Sequence, residues 1–305
     1  MAIDKNNSFK GTLVMENKRT IFIVDDDADD RLFIKRALEE NIGNIEIVEI
    51  PGGEEMYEWL KNWIPDSGLR LILMDMNMPR LNGLELLTVI KQNVKWKHVP
   101  VVMISTTSST DLVNKAYDLG VNAFITKPID LIDYDRLAHT IGLCFLNNFP
   151  ETKPLNIRKA RIRSVIIIED NDDHWVLTDF SLKRVVPGIQ TIRLKDKADS
   201  IAFFNNEFKM LHVSPDFILL DLYLPERQDG LELLTEIRNL TSRNEVITIP
   251  VIVFSHSNSP DDANASLFGQ ANAYLVKPTD EKQWTSYFEY LCNFMSHTIS
   301  LPKTS

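Results

Sequence analysis

Apolar and polar positions follow two regimes along this chain. Short, largely apolar runs occupy residues 20–24, 71–74, 100–104 and 123–126, and again 165–168, 217–220, 250–254 and 273–276, while the mixed segments 45–50 and 189–194 read as the second strand of each set. A run of that length bounded by turn residues reads as a strand covered on both faces. Between the runs apolar residues recur at helical spacing, as Leu32, Phe33, Ala37 and Leu38 do on one face. Gly120 supplies a helix stop before the fifth strand. Five strand-then-helix units in strict alternation predict an α/β domain with a doubly wound parallel sheet. The pattern then starts again and predicts a second domain of the same kind.

The expected domains span residues 19–148 and 161–298. A Pro-containing linker is expected over 149–160, with tails at 1–18 and 299–305. Corresponding positions are offset by 144 residues at Asp26/Asp170, 146 at Asp75/Asp221 and 150 at Lys127/Lys277. That is duplication of a whole domain rather than a short repeat. The drift predicts two loop insertions in the second copy. One is Glu226-Arg227-Gln228, and the other is residues 239–249.

In each copy strands one, three, four and five end in polar residues: Asp25-Asp26, Asp75, Ser105 and Lys127 in the first, Glu169-Asp170, Asp221, Ser255 and Lys277 in the second. In an open α/β sheet these ends converge on one edge, where such folds place their chemistry. Three carboxylates crowded there repel one another unless a cation neutralises them, and hard oxygen donors suit Mg²⁺. Asp75, on the central strand, is the natural nucleophile toward phosphorus. A lysine and a hydroxyl can hold the oxygens of a transferred phosphoryl group. Taken singly, each residue reads more simply as a cap, a surface lysine or a strand-end hydroxyl. Recurrence overturns that reading, because Ser105 to Lys127 and Ser255 to Lys277 both span 22 residues and both lysines precede proline.

Composition narrows the classes. A 44% hydrophobic, 25% charged chain is that of a soluble globular protein. The net charge of −10 argues against nucleic acid as a partner. The basic residues Arg158, Lys159, Arg161 and Arg163 read as part of a solvated connector. No run approaches membrane-spanning length, and the polar first 18 residues lack a signal-peptide pattern. With only Cys144 and Cys292, expected as core thiols, a reducing cytoplasmic location is expected.

On these residues both halves resemble response-regulator receiver domains of two-component signalling. The resemblance implies two flavodoxin-like (βα)5 domains with parallel strand order 2-1-3-4-5. It implies Mg²⁺ (or Mn²⁺) held by Asp25, Asp26, Asp75 and the carbonyl of Asn77 in the first copy. In the second copy the ligands would be Glu169, Asp170, Asp221 and the carbonyl of Tyr223. Asp75 and Asp221 would accept a phosphoryl group from a phosphohistidine, assisted by Ser105 and Lys127 or by Ser255 and Lys277. Phe124 and Tyr274 match the aromatic that follows phosphorylation inward, and cis peptides are implied before Pro128 and Pro278. Partners would be a sensor histidine kinase or a histidine phosphotransfer protein, with homodimer or inter-receiver contact through the fourth helix, fifth strand and fifth helix. The chain would be a signalling protein rather than a dedicated enzyme, with output through protein contacts.

The second copy departs at Glu169, at Tyr223, which is bulkier than Asn77, and at His256, whose ring narrows the approach to Asp221. A haloacid-dehalogenase-like phosphatase, the competing reading, needs a second Asp two residues after the nucleophile. Asn77 and Tyr223 stand there instead. A dinucleotide site fails because no Gly-x-Gly-x-x-Gly follows the first strand of either copy.

Overall fold

A computed structural model describes residues 19–62, 70–107, 109–146, 162–243 and 249–298. The expected linker and both tails lie outside them. The first half contains strands β1 (Arg19–Val24), β2 (Ile45–Ile50), β3 (Arg70–Asp75), β4 (Val101–Ser105) and β5 (Ala123–Thr126). Its helices are α1 (Ala28–Asn41), α2 (Gly53–Lys61), α3 (Gly83–Gln92), α4 (Thr110–Asp118) and α5 (Leu131–Leu146). In the second half the strands are β6 (Ser164–Ile168), β7 (Gln190–Leu194), β8 (Phe217–Leu220), β9 (Val251–Ser255) and β10 (Ala273–Val276). Between and after them run α6 (Asp172–Val185), α7 (Lys197–Asn206), α8 (Arg227–Arg243), α9 (Pro260–Phe268) and α10 (Glu281–Asn293).

All strand pairs are parallel, in the orders β2-β1-β3-β4-β5 and β7-β6-β8-β9-β10. Both sheets therefore have the 2-1-3-4-5 flavodoxin-like topology. The central strand shows why its apolar run is unbroken. Leu71 and Leu73 join the core on one face of the sheet, and Ile72 and Met74 join a separate core on the other. Asp75 pairs with Ile104 at the strand's carboxyl end. The chain then turns into α3 through a capping box between Asn82 and Glu85. Gly83 allows the helix to pass the strand end, since a Cβ there would lie 2.5 Å from the Asp75 carbonyl oxygen.

The core does not stop at the domain boundary. One cluster of buried apolar side chains runs from Ile21 and Leu143 to Tyr287, Leu291 and Met295, joining α5 of the first half to α10 of the second. The free cysteines Cys144 and Cys292 are both buried in it. A polar seam lies beside it, built from two asparagines at equivalent positions. The Asn122 side chain donates to the Ala271 carbonyl at 2.9 Å, and the Asn272 side chain donates to the Asn122 carbonyl at 3.0 Å. Each amide oxygen accepts from its own domain. Asn122 Oδ1 takes Val101 N–H at 2.9 Å and Lys91 Nζ at 3.1 Å, whereas Asn272 Oδ1 takes Val251 N–H at 2.9 Å and Arg238 at 2.6 Å.

Three expectations are corrected. The cis bond among the described residues is Leu224–Pro225, and both Lys–Pro bonds are trans, the isomer X–Pro ordinarily favours. Arg227 and Gln228 form the first turn of α8 instead of lengthening a loop. The longer 239–249 segment is helical through Arg243, because α8 continues well past the length of α3; residues 244–248 lie outside the described ones.

Candidate functional site

The ends of β1, β3, β4 and β5 deliver polar groups to the carboxyl edge of the first sheet. Asp25 follows β1 and Asp75 ends β3; they are only 3% and 6% exposed. Ser105 ends β4 fully buried, and Lys127 follows β5. Asp26 stands beside them in solvent. One carboxylate oxygen from each of Asp25, Asp26 and Asp75 lies within 4.8 Å of the others. Lys127 Nζ reaches Asp25 at 2.9 Å, Asp30 at 2.5 Å and Asp75 at 3.5 Å. Backbone amides fix the two buried carboxylates, with Asp27 N–H donating to Asp25 at 2.9 Å and Asn77 N–H to Asp75 at 2.7 Å. Asp27 itself caps α1. Beside the acids lies an open cleft of about 610 Å³, lined by Asp26, Met76, Asn77 and Leu112 among others.

These groups are poised electrostatically. Burial raises the carboxyls of Asp25 and Asp75 above the ordinary range, only partly opposed by Lys127. Burial works against the charge on Lys127, but its hydrogen bonds to Asp30 and Asp25 outweigh that and raise its pKa. The result is a compact acidic notch with one internal cation and more negative charge than that cation matches. Such a donor set fits a hard divalent ion. Asp30, an unassigned member of an acidic run in sequence, is thus a partner of the site lysine. Its place one turn into α1 was the available signal.

The second site is built on the same frame with different chemistry. Glu169 and Asp221 are 2% and 7% exposed, and Ser255 and Lys277 are buried. Lys277 Nζ contacts Glu169 at 2.7 Å and Asp221 at 2.5 Å. Asp170 is exposed, and the group of possible ligands here is Glu169, His174 and Asp221. His174 is the residue that sequence reasoning missed; it occupies the position of Asp30, 144 residues on. Burial raises the Glu169 carboxyl well above the usual range. Burial, aided by Lys277, lowers His174 to about 4 and also lowers His256. Tyr223 turns its ring toward solvent, where its hydroxyl donates to Asp262 at 3.0 Å and Arg227 pairs with the same carboxylate.

Phe124 and Tyr274 both point inward from the fifth strand of their sheets, and the Tyr274 hydroxyl donates to the Ser257 carbonyl at 2.8 Å. Each aromatic lies two residues after an asparagine of the interdomain seam.

Comparison with known proteins gives a consistent picture. The model of the response regulator receiver domain matches residues 21–139 and again 165–289. The chain is 32% identical over 108 residues to chemotaxis protein CheY1 of Helicobacter pylori, covering 35% of this chain and 84% of that protein. It is 29% identical over 126 residues to response regulator Rcp1 of Synechocystis, covering 40% of this chain and 86% of that one. Among solved structures, the phosphorylated cyanobacterial phytochrome response regulator RcpA matches at 32% identity and a TM-score of 0.38, over 41% of this chain and 91% of that one.

Proposed function

The chain belongs to the response regulator receiver family in both halves, and from that premise we propose that it takes a phosphoryl group from a phosphohistidine onto Asp75, and in the second half onto Asp221. A carboxylate oxygen of Asp75 attacks phosphorus, the P–N bond breaks, and the imidazole leaves with the electron pair and picks up a proton. The observation that carries this reading is the convergence of a buried Asp75 with Lys127 at 3.5 Å and the Asp25–Asp26 pair within 4.8 Å.

Asp25, Asp26, Asp75 and the carbonyl of Asn77 would hold Mg²⁺ (or Mn²⁺), which supplies charge to offset the phosphoryl oxygens. Lys127, already charged by its contacts with Asp30 and Asp25, is positioned to hold one of those oxygens. Ser105 has a hydroxyl proton to donate to another, while its oxygen accepts Thr107 N–H at 3.2 Å. Phe124 then reports the change. Drawing Ser105 toward a new phosphoryl group frees space that Phe124 follows, and Asn122, two residues earlier, carries that movement into the interdomain seam. Driving such a switch from 1:99 to 99:1 needs about 5.5 kcal/mol of preference for one state. Output passes to a protein partner in the cytoplasm, and the donor is a sensor histidine kinase or histidine phosphotransfer protein.

The test is acetyl phosphate plus Mg²⁺ offered to wild type, Asp75→Ala, Asp221→Ala and the double variant, with phosphoryl groups counted by intact mass. The reading expects addition to wild type, loss of one group with Asp75→Ala, and none in the double variant. Addition that survives the double substitution, or no addition to wild type, refutes it.

A further inference from the structure

Two imidazoles stand at the mouth of the second pocket where, among the described residues, the first has none. His174 takes the place of Asp30, and His256, just past β9, takes that of Thr106. Their Nε2 atoms face each other at 2.8 Å. His174 is held from behind: its Nδ1 lies 3.3 Å from Glu169 Oε1, and its ring stacks on buried Trp284 at 6.3 Å with the planes 22° apart. Two neutral imidazoles meeting nitrogen to nitrogen can share only one proton, so a lone pair always points at the shared spot. Lys277 Nζ also lies on the Nδ1 side of His174, 3.4 Å away, leaving Nε2 as the nitrogen turned toward His256. A carboxylate behind one ring nitrogen and a lone pair offered by the other is how proteins orient a metal-binding histidine.

The oxygen donors deeper in the pocket are differently placed from those of the first. Lys277 contacts both Glu169 and Asp221 at close range, and Asp170 lies outside the cluster, so fewer carboxylates remain here than the first pocket offers. That weakens the pocket for a hard all-oxygen ion and leaves nitrogen as its distinctive donor. Imidazole nitrogen suits Zn²⁺, Co²⁺, Ni²⁺ and Cu²⁺. At a Zn–N distance of about 2.0–2.1 Å in tetrahedral geometry, two ligand nitrogens sit roughly 3.3 Å apart. A small rotation of the exposed His256 ring opens the present spacing to that value.

We propose that the second pocket binds a borderline divalent transition ion of the Zn²⁺ class through Nε2 of His174 and His256, with Glu169 orienting His174 from its Nδ1 side and water completing the coordination. This goes beyond phosphoryl acceptance and holds whether or not Asp221 is phosphorylated. The first pocket, with Asp30 and Thr106 at the two positions, is the internal control.

The experiment uses the tag-free full chain, titrated calorimetrically with Zn²⁺ in millimolar Mg²⁺, beside His174→Asp and His256→Thr, each installing the first pocket's residue. Wild type is expected to bind one equivalent more than either variant, and Glu169→Gln to bind that equivalent roughly 10–100-fold more weakly. Co²⁺-loaded wild type should show the intense visible bands of a tetrahedral nitrogen-containing site, a readout independent of any variant. Acyl phosphate formation on Asp75 should be the same in wild type and both histidine variants. Equal Zn²⁺ stoichiometry in all three proteins, displacement by Mg²⁺, or absence of the Co²⁺ bands would each overturn the proposal. Absence of phosphorylation alone would count against the phosphoacceptor reading and leave the metal site standing.

Discussion

Asn122→Ala would test whether the two receivers act as one body. The substitution leaves Val101 N–H and the Ala271 carbonyl without their side-chain partner and takes one of three acceptors from Lys91, whose others are the carbonyls of Lys97 and Val99. An orphaned buried polar group costs about 1–3 kcal/mol, so two of them cost roughly 2–6 kcal/mol. That is a large share of the roughly 5–15 kcal/mol that holds an ordinary domain folded. Asn272→Ala should cost a similar amount through Val251 N–H and the Asn122 carbonyl. Each asparagine's contact across the boundary requires the seam to be closed, so removing one weakens what the other contributes. The double variant should therefore lose less than the sum of the singles, by about 1–2 kcal/mol. Urea unfolding of the four proteins measures this, with wild type melting in one transition and the variants separating into two. Costs that add to within about 0.3–0.5 kcal/mol, with a single transition throughout, would refute the coupled seam.

Two further outcomes bear on the first pocket. Gly83→Ala places a Cβ 2.5 Å from the Asp75 carbonyl oxygen and 2.8 Å from Met76 Cα, backbone atoms that cannot rotate away. It should cost about 1–3 kcal/mol in urea and slow acyl phosphate formation on Asp75 while sparing Asp221; an unchanged Asp75 rate would show that the strand end is not held by this contact. Burial raises the Asp75 carboxyl, so the folded chain binds more protons than the unfolded chain as pH climbs through that window, and stability falls there. In metal-free buffer at pH 7, Asp75→Asn should accordingly raise the urea midpoint. The gain should vanish as pH drops toward the unfolded value of about 3.9, and a lowered midpoint at pH 7 would reverse the assignment.

Much of this molecule was legible one residue at a time. An apolar run that stops at an aspartate fixes both a doubly covered strand and the place where its last side chain emerges, so the strand-end positions of Asp75, Ser105, Asp221 and Ser255 needed no coordinates, whereas the sheet order was implied only by the family resemblance. Repetition of the same spacing then distinguished chemistry from chance. Other features depend on what faces what across the fold. In sequence Asp30 and His174 are ordinary polar residues of a first helical turn, and only proximity to Lys127 or Lys277 gives them a role. The run Glu226-Arg227-Gln228 looked like loop until helix α8 absorbed part of it. Asn122 and Asn272 carry no periodic signal, yet they meet across 150 residues of chain. Local pattern records which side of an element avoids water, because that is a property of each residue and its near neighbours. Hydrogen bonds and ion pairs act over a few ångströms between groups far apart in sequence, so their partners exist only once the chain has folded.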